Sequence, residues 1–145
     1  MRDEQRLRVG QVLWLKLQFE RGGEFSLINH PYLIINIDDG IEIAEVLQFD
    51  SLKGREYYLF NKGNIKIDAE DETVISEDSY IQLGKVIKLQ IFEQLENFRK
   101  TTDLISRNML ERIMWNREEY LRYHDIEDKN ILYFTEEQIL SHNNL

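Results

Sequence analysis

The first predicted strand is recognised by a two-residue hydrophobic period. Leu15 and Leu17 alternate with Lys16 and Gln18 within residues 9–19. Successive side chains of a strand point to opposite faces, so this alternation indicates a strand that is buried on one side. The sequence therefore predicts a strand over residues 9–19, with Lys16 and Gln18 on the face nearer to solvent.

A loop over residues 20–29 and a buried strand over residues 32–37 follow. Pro31 is the only proline in the chain, and it fixes its own φ and disfavours helical backbone at His30. Residues 32–37 are largely β-branched and apolar, which is typical of a buried strand. His30 is thus predicted to stand at the start of a central strand, with Glu24 on the loop that precedes it.

Shorter apolar runs and turn residues predict several further strands. Asp38-Asp39-Gly40 is a turn sequence, after which an extended pattern resumes. The further predicted strands cover residues 41–49, 56–60 and 79–92, with a hairpin signal at Asn61–Asn64 before Ile65 and Ile67. Gly84 predicts a bulge or bend of a curved sheet within the last of these. Residues 93–102 fit either coil or a short helical turn.

The last third of the chain changes to a helical period. Ser106 is a suitable N-cap, and Thr135 with Gln138 has the sequence of a capping box for a short helix over residues 136–141. The apolar face of the helix after Ser106 comprises Leu110, Ile113, Met114, Leu121 and His124, widened by Trp115 and Tyr120. Strands followed by helices predict a mainly β fold with C-terminal helices (α+β), built on a strongly bent antiparallel sheet or small barrel.

Length, composition and charge narrow the protein class. A chain of 145 residues predicts a single domain, 1–145, with a barrel over about 9–103 and a helical extension over about 104–145. The absence of cysteine excludes disulfides and suits a cytoplasmic location. Residues 1–6 lack the apolar core of a signal peptide, and no apolar run approaches the roughly 20 residues of a membrane span. The net charge of −9 means that a nucleic-acid ligand would need a local cluster of Lys and Arg.

The candidate chemistry lies at two positions that a predicted hairpin brings together. Pairing of the strands on either side of the Asp38–Gly40 turn would place His30 and Ser51 at one rim, with Lys53 and Arg55 close by. One such group can take the proton of a ribose 2′-hydroxyl while cations stabilise the charge that develops on the phosphate. The alternative interpretation is that Ser51 and Lys53 only build a turn. No His-x-His or His-Glu-x-x-His motif occurs, so no metal or other cofactor is expected.

Several short motifs resemble the MazF/PemK toxin family. They are Val9 to Leu15, Gly23-Glu24, His30 to Asn36, Ser51, Ser79-Tyr80-Ile81 and Ser106 to Met114. The likeness covers roughly residues 9–115, and it implies an SH3-like curved antiparallel barrel that often forms a homodimer. It also implies metal-independent cleavage of single-stranded RNA, neutralised by an antitoxin for which protein is favoured over RNA.

The same resemblance implies roles for individual residues. His30 stands where the family has its catalytic Arg, Ser51 stands at the catalytic hydroxyl position, and Lys53 resembles a lysine of the related ToxN-like toxins, whose antitoxin is RNA. The residues predicted to bind substrate are Glu24, in the substrate loop, together with Lys16, Gln18 and Arg55. A histidine in place of the family's Arg implies a weaker, pH-dependent electrostatic clamp.

Two other functions are compatible with this fold. One is a catalytically inactive SH3-like barrel that acts as a protein- or RNA-binding module, which the fold alone does not distinguish from the enzyme. The other is gyrase poisoning, which ranks last because Asn143-Asn144-Leu145 replaces the Trp-Gly-Ile end of those toxins. A positive, open cleft around His30, Ser51 and Lys53 would favour RNA, and a closed or acidic one would favour the binding module.

Overall fold

The computed structural model of the protein describes residues 7–60 and 63–143, which form seven strands and two α-helices. The strands are β1 (Val12–Leu15), β2 (His30–Asp38), β3 (Ile43–Ser51), β4 (Asn64–Ile67), β5 (Ser79–Gln82), β6 (Val86–Gln90) and β7 (Ile131–Phe134). The helices are α1 (Arg107–Tyr123) and α2 (Glu136–His142), and short 3₁₀ segments cover Glu56–Phe60, Ala69–Asp71, Glu93–Phe98 and Asp128–Asn130. The prediction of a mainly β fold with C-terminal helices is confirmed for these residues.

The sheet is centred on β3, which is paired along both edges. One edge is antiparallel to β2, from Asp38 opposite Ile43 to Tyr32 opposite Gln48. The other edge pairs with β6 at its N-terminal end and with β5 at its C-terminal end, both antiparallel. β5 and β6 are therefore one extended segment that is interrupted at residues 83–85, and the bend predicted at Gly84 is confirmed.

Further strands extend the sheet in two directions from this centre. β1 is antiparallel to β2, and β4 is antiparallel to β5. β7 lies parallel to β6. The result is an open sheet in which His30 stands at the start of β2, as predicted. β1 is shorter than the predicted strand over residues 9–19 and ends at Leu15, beyond which a single bridge joins Gln18 to Phe25.

Residues 56–60 do not form the predicted fourth strand. They form a 3₁₀ segment that follows a turn at Gly54, where φ is +72°. The N–H of Arg55 donates to the carbonyl of Leu52, and the N–H of Tyr58 donates to the carbonyl of Arg55. Aromatic residues favour strands in general. Here successive bonds between residues three apart hold the backbone, so the local turn overrides that preference.

The turn between β2 and β3 is also longer than the sequence predicts. The Asp38 carboxylate accepts hydrogen bonds from the N–H groups of Gly40 (3.0 Å) and Ile41 (3.3 Å). Glu42 has a positive φ of 55°, so β3 begins at Ile43 and not at Ile41. Of the predicted hairpin at residues 61–64, Asn61 and Lys62 lie outside the described residues.

The two faces of the sheet bury two separate apolar clusters. Side chains of β2 alternate between them, because Tyr32 and Ile34 belong to one cluster and Leu33 and Ile35 to the other. Ile139 of α2 is buried in the first cluster, and Ile113 of α1 is buried in the second. The helices therefore cover opposite faces of the sheet, and both are part of the hydrophobic core.

Helix α1 begins as predicted but buries a partly different face. The hydroxyl of Ser106 accepts a hydrogen bond from the N–H of Met109 (3.2 Å), which confirms the predicted cap. Trp115 is 63% exposed and His124 is also exposed, so the predicted apolar face was wrong at these positions. Arg117 is buried instead, and its guanidinium lies 2.6 Å from the Glu45 carboxylate of β3.

Helix α2 has the predicted capping box. The Thr135 hydroxyl accepts a hydrogen bond from the N–H of Gln138, and the Gln138 side chain accepts one from the N–H of Thr135. After α2, the Asn143 side chain accepts a hydrogen bond from the N–H of Lys16 (2.7 Å) and donates one to its carbonyl (3.1 Å). The end of α2 is thereby held against the segment that follows β1. No helix in the described part of the chain is both long and apolar enough to cross a membrane.

Candidate active site

The predicted chemistry converges on one cleft at the end of β3. Tyr32 lies opposite Gln48, so antiparallel pairing places His30 beside Asp50, two residues further along. This rim cleft has a volume of about 820 Å³, and its lining includes His30, Asp50, Ser51, Lys53, Arg55, Lys16, Lys100, Glu77 and Trp14. The structure therefore brings together the three residues predicted to be catalytic and two of the four predicted to bind substrate, Lys16 and Arg55.

His30 is held in a partly buried position between a carboxylate and an aromatic ring. Its Nδ1 lies 3.9 Å from an oxygen of Asp50, and the exposed fractions of the two side chains are 19% and 11%. The ring of Phe19 meets the imidazole edge-on, with the centroids 5.1 Å apart. Burial lowers the pKa of His30 below its usual value of 6.5, Asp50 raises this pKa, and Arg55 lowers it further. A neutral imidazole is therefore favoured near pH 7, and a neutral imidazole can accept a proton.

Asp50 is fixed by two amide side chains. Its carboxylate accepts hydrogen bonds from Nε2 of Gln48 (2.8 Å) and from Nε2 of Gln82 (3.2 Å). The carboxylate also contributes to raising the pKa of Tyr32 and Tyr80, although burial is the larger cause for both. Asp50 is not among the site residues predicted from the sequence. The signal that could have found it is the register of the β2–β3 hairpin, which places it beside His30.

Ser51 both lines the cleft and shapes the turn that follows it. Its hydroxyl oxygen accepts a hydrogen bond from the N–H of Lys53 (3.2 Å), the pattern by which serine stabilises a tight turn. The serine O–H is not used by this bond. The side chains of Lys53 and Arg55 are exposed beyond the turn. Ser51 can thus hold the turn and donate a hydrogen bond into the rim cleft at the same time.

The rim cleft is more positive than the protein as a whole. Lys16, Lys53, Arg55 and Lys100 contribute four cations to its lining, against the two carboxylates of Asp50 and Glu77. The net charge of the chain is −9. Cations are thus concentrated at this cleft on an acidic molecule, which is the electrostatic condition that favours a phosphate ligand.

Gln18 and Glu24, the other two predicted substrate-binding residues, lie outside the rim cleft. The Gln18 side chain donates a hydrogen bond to the carbonyl of Gly23 and so ties the loop to its own base. Glu24 lines a different cleft, of about 630 Å³, beside Lys85 and Tyr120. Burial lowers the pKa of Lys85, whose ammonium donates to the carbonyl of Phe19. The structure gives Gln18 a structural contact and does not bring Glu24 to His30.

Within residues 7–60 and 63–143, no group of three or more His, Asp or Glu side chains is arranged to hold a metal ion. The polar groups that line the rim cleft include an imidazole, a hydroxyl, four cations and two carboxylates. The chain matches no protein-family model, and no curated protein matches it.

Proposed function

We propose that the protein is a metal-independent endoribonuclease that cleaves single-stranded RNA in the rim cleft. The observation that carries the proposal is the position of His30. A partly buried imidazole with a lowered pKa shares an open, cation-rich cleft with Ser51 and Lys53 on a molecule of net charge −9. A neutral base beside cations is the combination that attack by a ribose 2′-hydroxyl on a phosphodiester requires.

The proposed reaction uses each of these groups once. An Nδ1–H directed towards Asp50 leaves the lone pair of His30 Nε2 to take the proton of the 2′-hydroxyl. The 2′-oxygen then bonds to phosphorus and the bond from phosphorus to the 5′-oxygen breaks, which gives a 2′,3′-cyclic phosphate. The leaving 5′-oxygen takes a proton from the Lys53 ammonium. Ser51 O–H and Arg55 stabilise the charge on the non-bridging oxygens.

The finer fold type and the biological setting belong to the same proposal. The open, mainly antiparallel sheet with helices on both faces is compatible with the SH3-like barrel that the resemblance to the MazF/PemK family implies. On that basis the protein acts in the cytoplasm as a toxin, forms a homodimer and is neutralised by an antitoxin, with a protein antitoxin favoured over RNA.

A catalytically inactive RNA- or protein-binding module is the second candidate. Two observations favour it: the Ser51 oxygen already serves the turn to Lys53, and Asp50 places a carboxylate inside the cleft. A carboxylate near a phosphate is unfavourable unless the cations outweigh it. The two candidates differ in whether RNA is cut, since the module would bind RNA or a protein without any reaction.

Cleavage of RNA by the purified chain separates the two candidates. We expect the wild type to cut single-stranded RNA with EDTA present, leaving cyclic phosphate ends, and to arrest growth when it is overexpressed. His30→Ala should lower the cleavage rate by about 10² to 10⁴-fold, which is the contribution typical of a positioned acid–base group. Ser51→Ala should lower it by about 10² to 10³-fold, which is typical of removing one hydrogen-bond donor to the developing charge. Primer extension on cellular RNA after induction maps the cut sites.

Lys88→Gln is the matched control, because Lys88 is an exposed cation on β6 that does not line the rim cleft. This variant should cut at the wild-type rate, and circular dichroism should show that all three variants are folded. If the wild type is harmless to cells and leaves RNA intact, the endoribonuclease proposal is wrong and the binding module is the remaining candidate.

A further inference from the structure

A second cleft continues the rim cleft along β1. It has a volume of about 660 Å³ and shares four lining residues with the rim cleft: Trp14, Lys16, Asn29 and Lys100. Arg99 and Asn97 add a third cation and another amide. Among the described residues, no acidic side chain lines this flanking cleft. The flanking cleft is therefore lined only by basic and uncharged residues, and it adjoins the rim cleft that holds the proposed catalytic groups.

Two backbone contacts place the cations of the flanking cleft beside β1. The N–H of Lys100 donates to the carbonyl of Val12 (2.9 Å), and Arg99 forms a β-bridge with Leu13. The Lys100 ammonium consequently lies 5.0 Å from the centroid of the Trp14 ring. Trp14 remains 38% exposed. The flanking cleft thus presents the aromatic ring of Trp14 beside cations whose backbone is paired with β1.

The opposite border of the flanking cleft is also fixed. Asn143, which lines it, holds both backbone groups of Lys16 through the two hydrogen bonds described above. The backbone that carries the Lys16 side chain is therefore immobilised at the junction of the two clefts. Because this backbone is already held in place, a ligand that binds here does not have to order it, which lowers the entropic cost of binding.

We propose that the flanking cleft binds the nucleotides next to the cleaved linkage of single-stranded RNA, with a base stacked on Trp14 and phosphates paired with Lys100 and Arg99. This proposal rests on the proposed function. Single-stranded nucleic acid is recognised by a positive groove combined with aromatic rings, because every base offers a π-face whatever its identity. An acidic protein would satisfy the cations but has no regular aromatic partner for the indole, so RNA is the better match.

The test measures binding separately from cleavage. The probe is a mixed-sequence 2′-O-methyl RNA of eight nucleotides, which cannot be cut because it lacks the attacking hydroxyl. The protein carries Trp115→Phe, which leaves Trp14 as the single tryptophan, since the chain has two. We expect the probe to quench Trp14 fluorescence on titration. A probe of two nucleotides can occupy only the rim cleft, so it should bind more weakly than the probe of eight.

Three variants at two positions examine stacking and charge by direct titration with a fluorescently labelled probe. Trp14→Ala should weaken binding by about 10- to 100-fold, and Trp14→Phe should restore part of the loss, because stacking on a ring is what changes. Lys100→Gln should reduce the slope of log K against log salt by about 0.7, the value for one phosphate contact on a single strand. Trp115→Ala and Lys88→Gln are the matched controls, and they should bind as the wild type does.

The outcomes separate this proposal from the proposed function. If the probe quenches Trp14 fluorescence but the wild type cuts no RNA, RNA binding in the flanking cleft is supported and the endoribonuclease proposal is wrong. If RNA is cut normally and the affinity and salt slope are unchanged in Trp14→Ala and Lys100→Gln, RNA binding in the flanking cleft is wrong and the endoribonuclease proposal stands. Absence of probe binding, or tight binding of polyglutamate in place of the probe, would also overturn it.

Discussion

Asp50 is the residue that most directly controls the proposed base. Burial lowers the pKa of His30 and the nearby Asp50 carboxylate raises it. A base acts in its neutral form, so cleavage should decrease as the pH falls through the lowered pKa of His30 and level off at higher pH. In Asp50→Asn the negative charge that stabilises the protonated form of His30 is gone, so the acidic limb of the pH–rate profile should move to lower pH.

The same shift can be measured without any reaction. The ¹H–¹³C NMR titration of His30 in Asp50→Asn should give a lower pKa than in the wild type. The chain has three histidines, and the signals of His124 and His142, which do not line the rim cleft, serve as internal references. An unchanged His30 titration would show that the carboxylate at 3.9 Å does not act on the imidazole.

At the scale of single residues, the sequence predicted part of the candidate site. Turn residues and alternation set the β2–β3 hairpin, which is enough to bring His30 and Ser51 to one rim. Gln18 and Glu24 were selected for their position in sequence, but the direction of a loop side chain depends on contacts that local pattern does not encode. Arg99 and Lys100 reach the site only through pairing with β1, across more than 80 residues of sequence, and no periodicity reports such pairing.

At the scale of elements, α1 is joined to β3 by an ion pair that is mostly buried. The side chains of Arg117 and Glu45 are only 10% and 16% exposed, and the guanidinium also donates to the carbonyl of Lys85 (3.3 Å). Arg117→Ala should lower the free energy of unfolding by about 3 kcal/mol, because it leaves the Glu45 carboxylate buried without its partner. Urea denaturation measures the loss.

Arg122 offers a matched control on the same helix. It pairs with Glu119 at 2.8 Å, but the two side chains are 55% and 35% exposed. Arg122→Ala should cost about 0.5 kcal/mol or less, since water and salt screen such a pair. Equal losses of stability in the two variants would contradict a special role for the buried pair. A double Arg117→Met, Glu45→Leu variant should recover most of the stability that Arg117→Ala loses.

The elements that the sequence predicted are those with a local cause. The caps at Ser106 and Thr135 and the bend at Gly84 depend on residues within one turn of each other, and all three are found. β7 was not predicted, because four residues give too short an alternation and its parallel partner β6 is distant in sequence. The burial of Arg117 has no local cause in the sequence, because it depends on pairing with Glu45 on another element.

At the scale of the whole molecule, acidity and a basic binding surface coexist. The 27 acidic residues exceed the 18 lysines and arginines, yet cations predominate in both the rim cleft and the flanking cleft. A ligand with a negatively charged backbone would be repelled by most of the acidic surface and attracted only at the two clefts. This favours one bound orientation over diffuse binding. The net charge alone is therefore a poor guide to whether this protein binds RNA.

The double pairing of β3 has a consequence for how the molecule opens. A strand with neighbours on both sides exposes its amides only when the sheet around it comes apart, whereas β1 and β7 can detach as outer strands. Deuterium uptake followed by mass spectrometry should therefore be slowest over residues 44–48 and faster in β1 and β7. The reverse order would show that β3 is not the last strand to open. Ser51 ends this strand three residues beyond that stretch, where β3 pairs with β5 alone. The hydroxyl proposed for catalysis is therefore carried at the end of the strand whose centre we expect to exchange slowest, while its neighbours Lys53 and Arg55 extend into solvent.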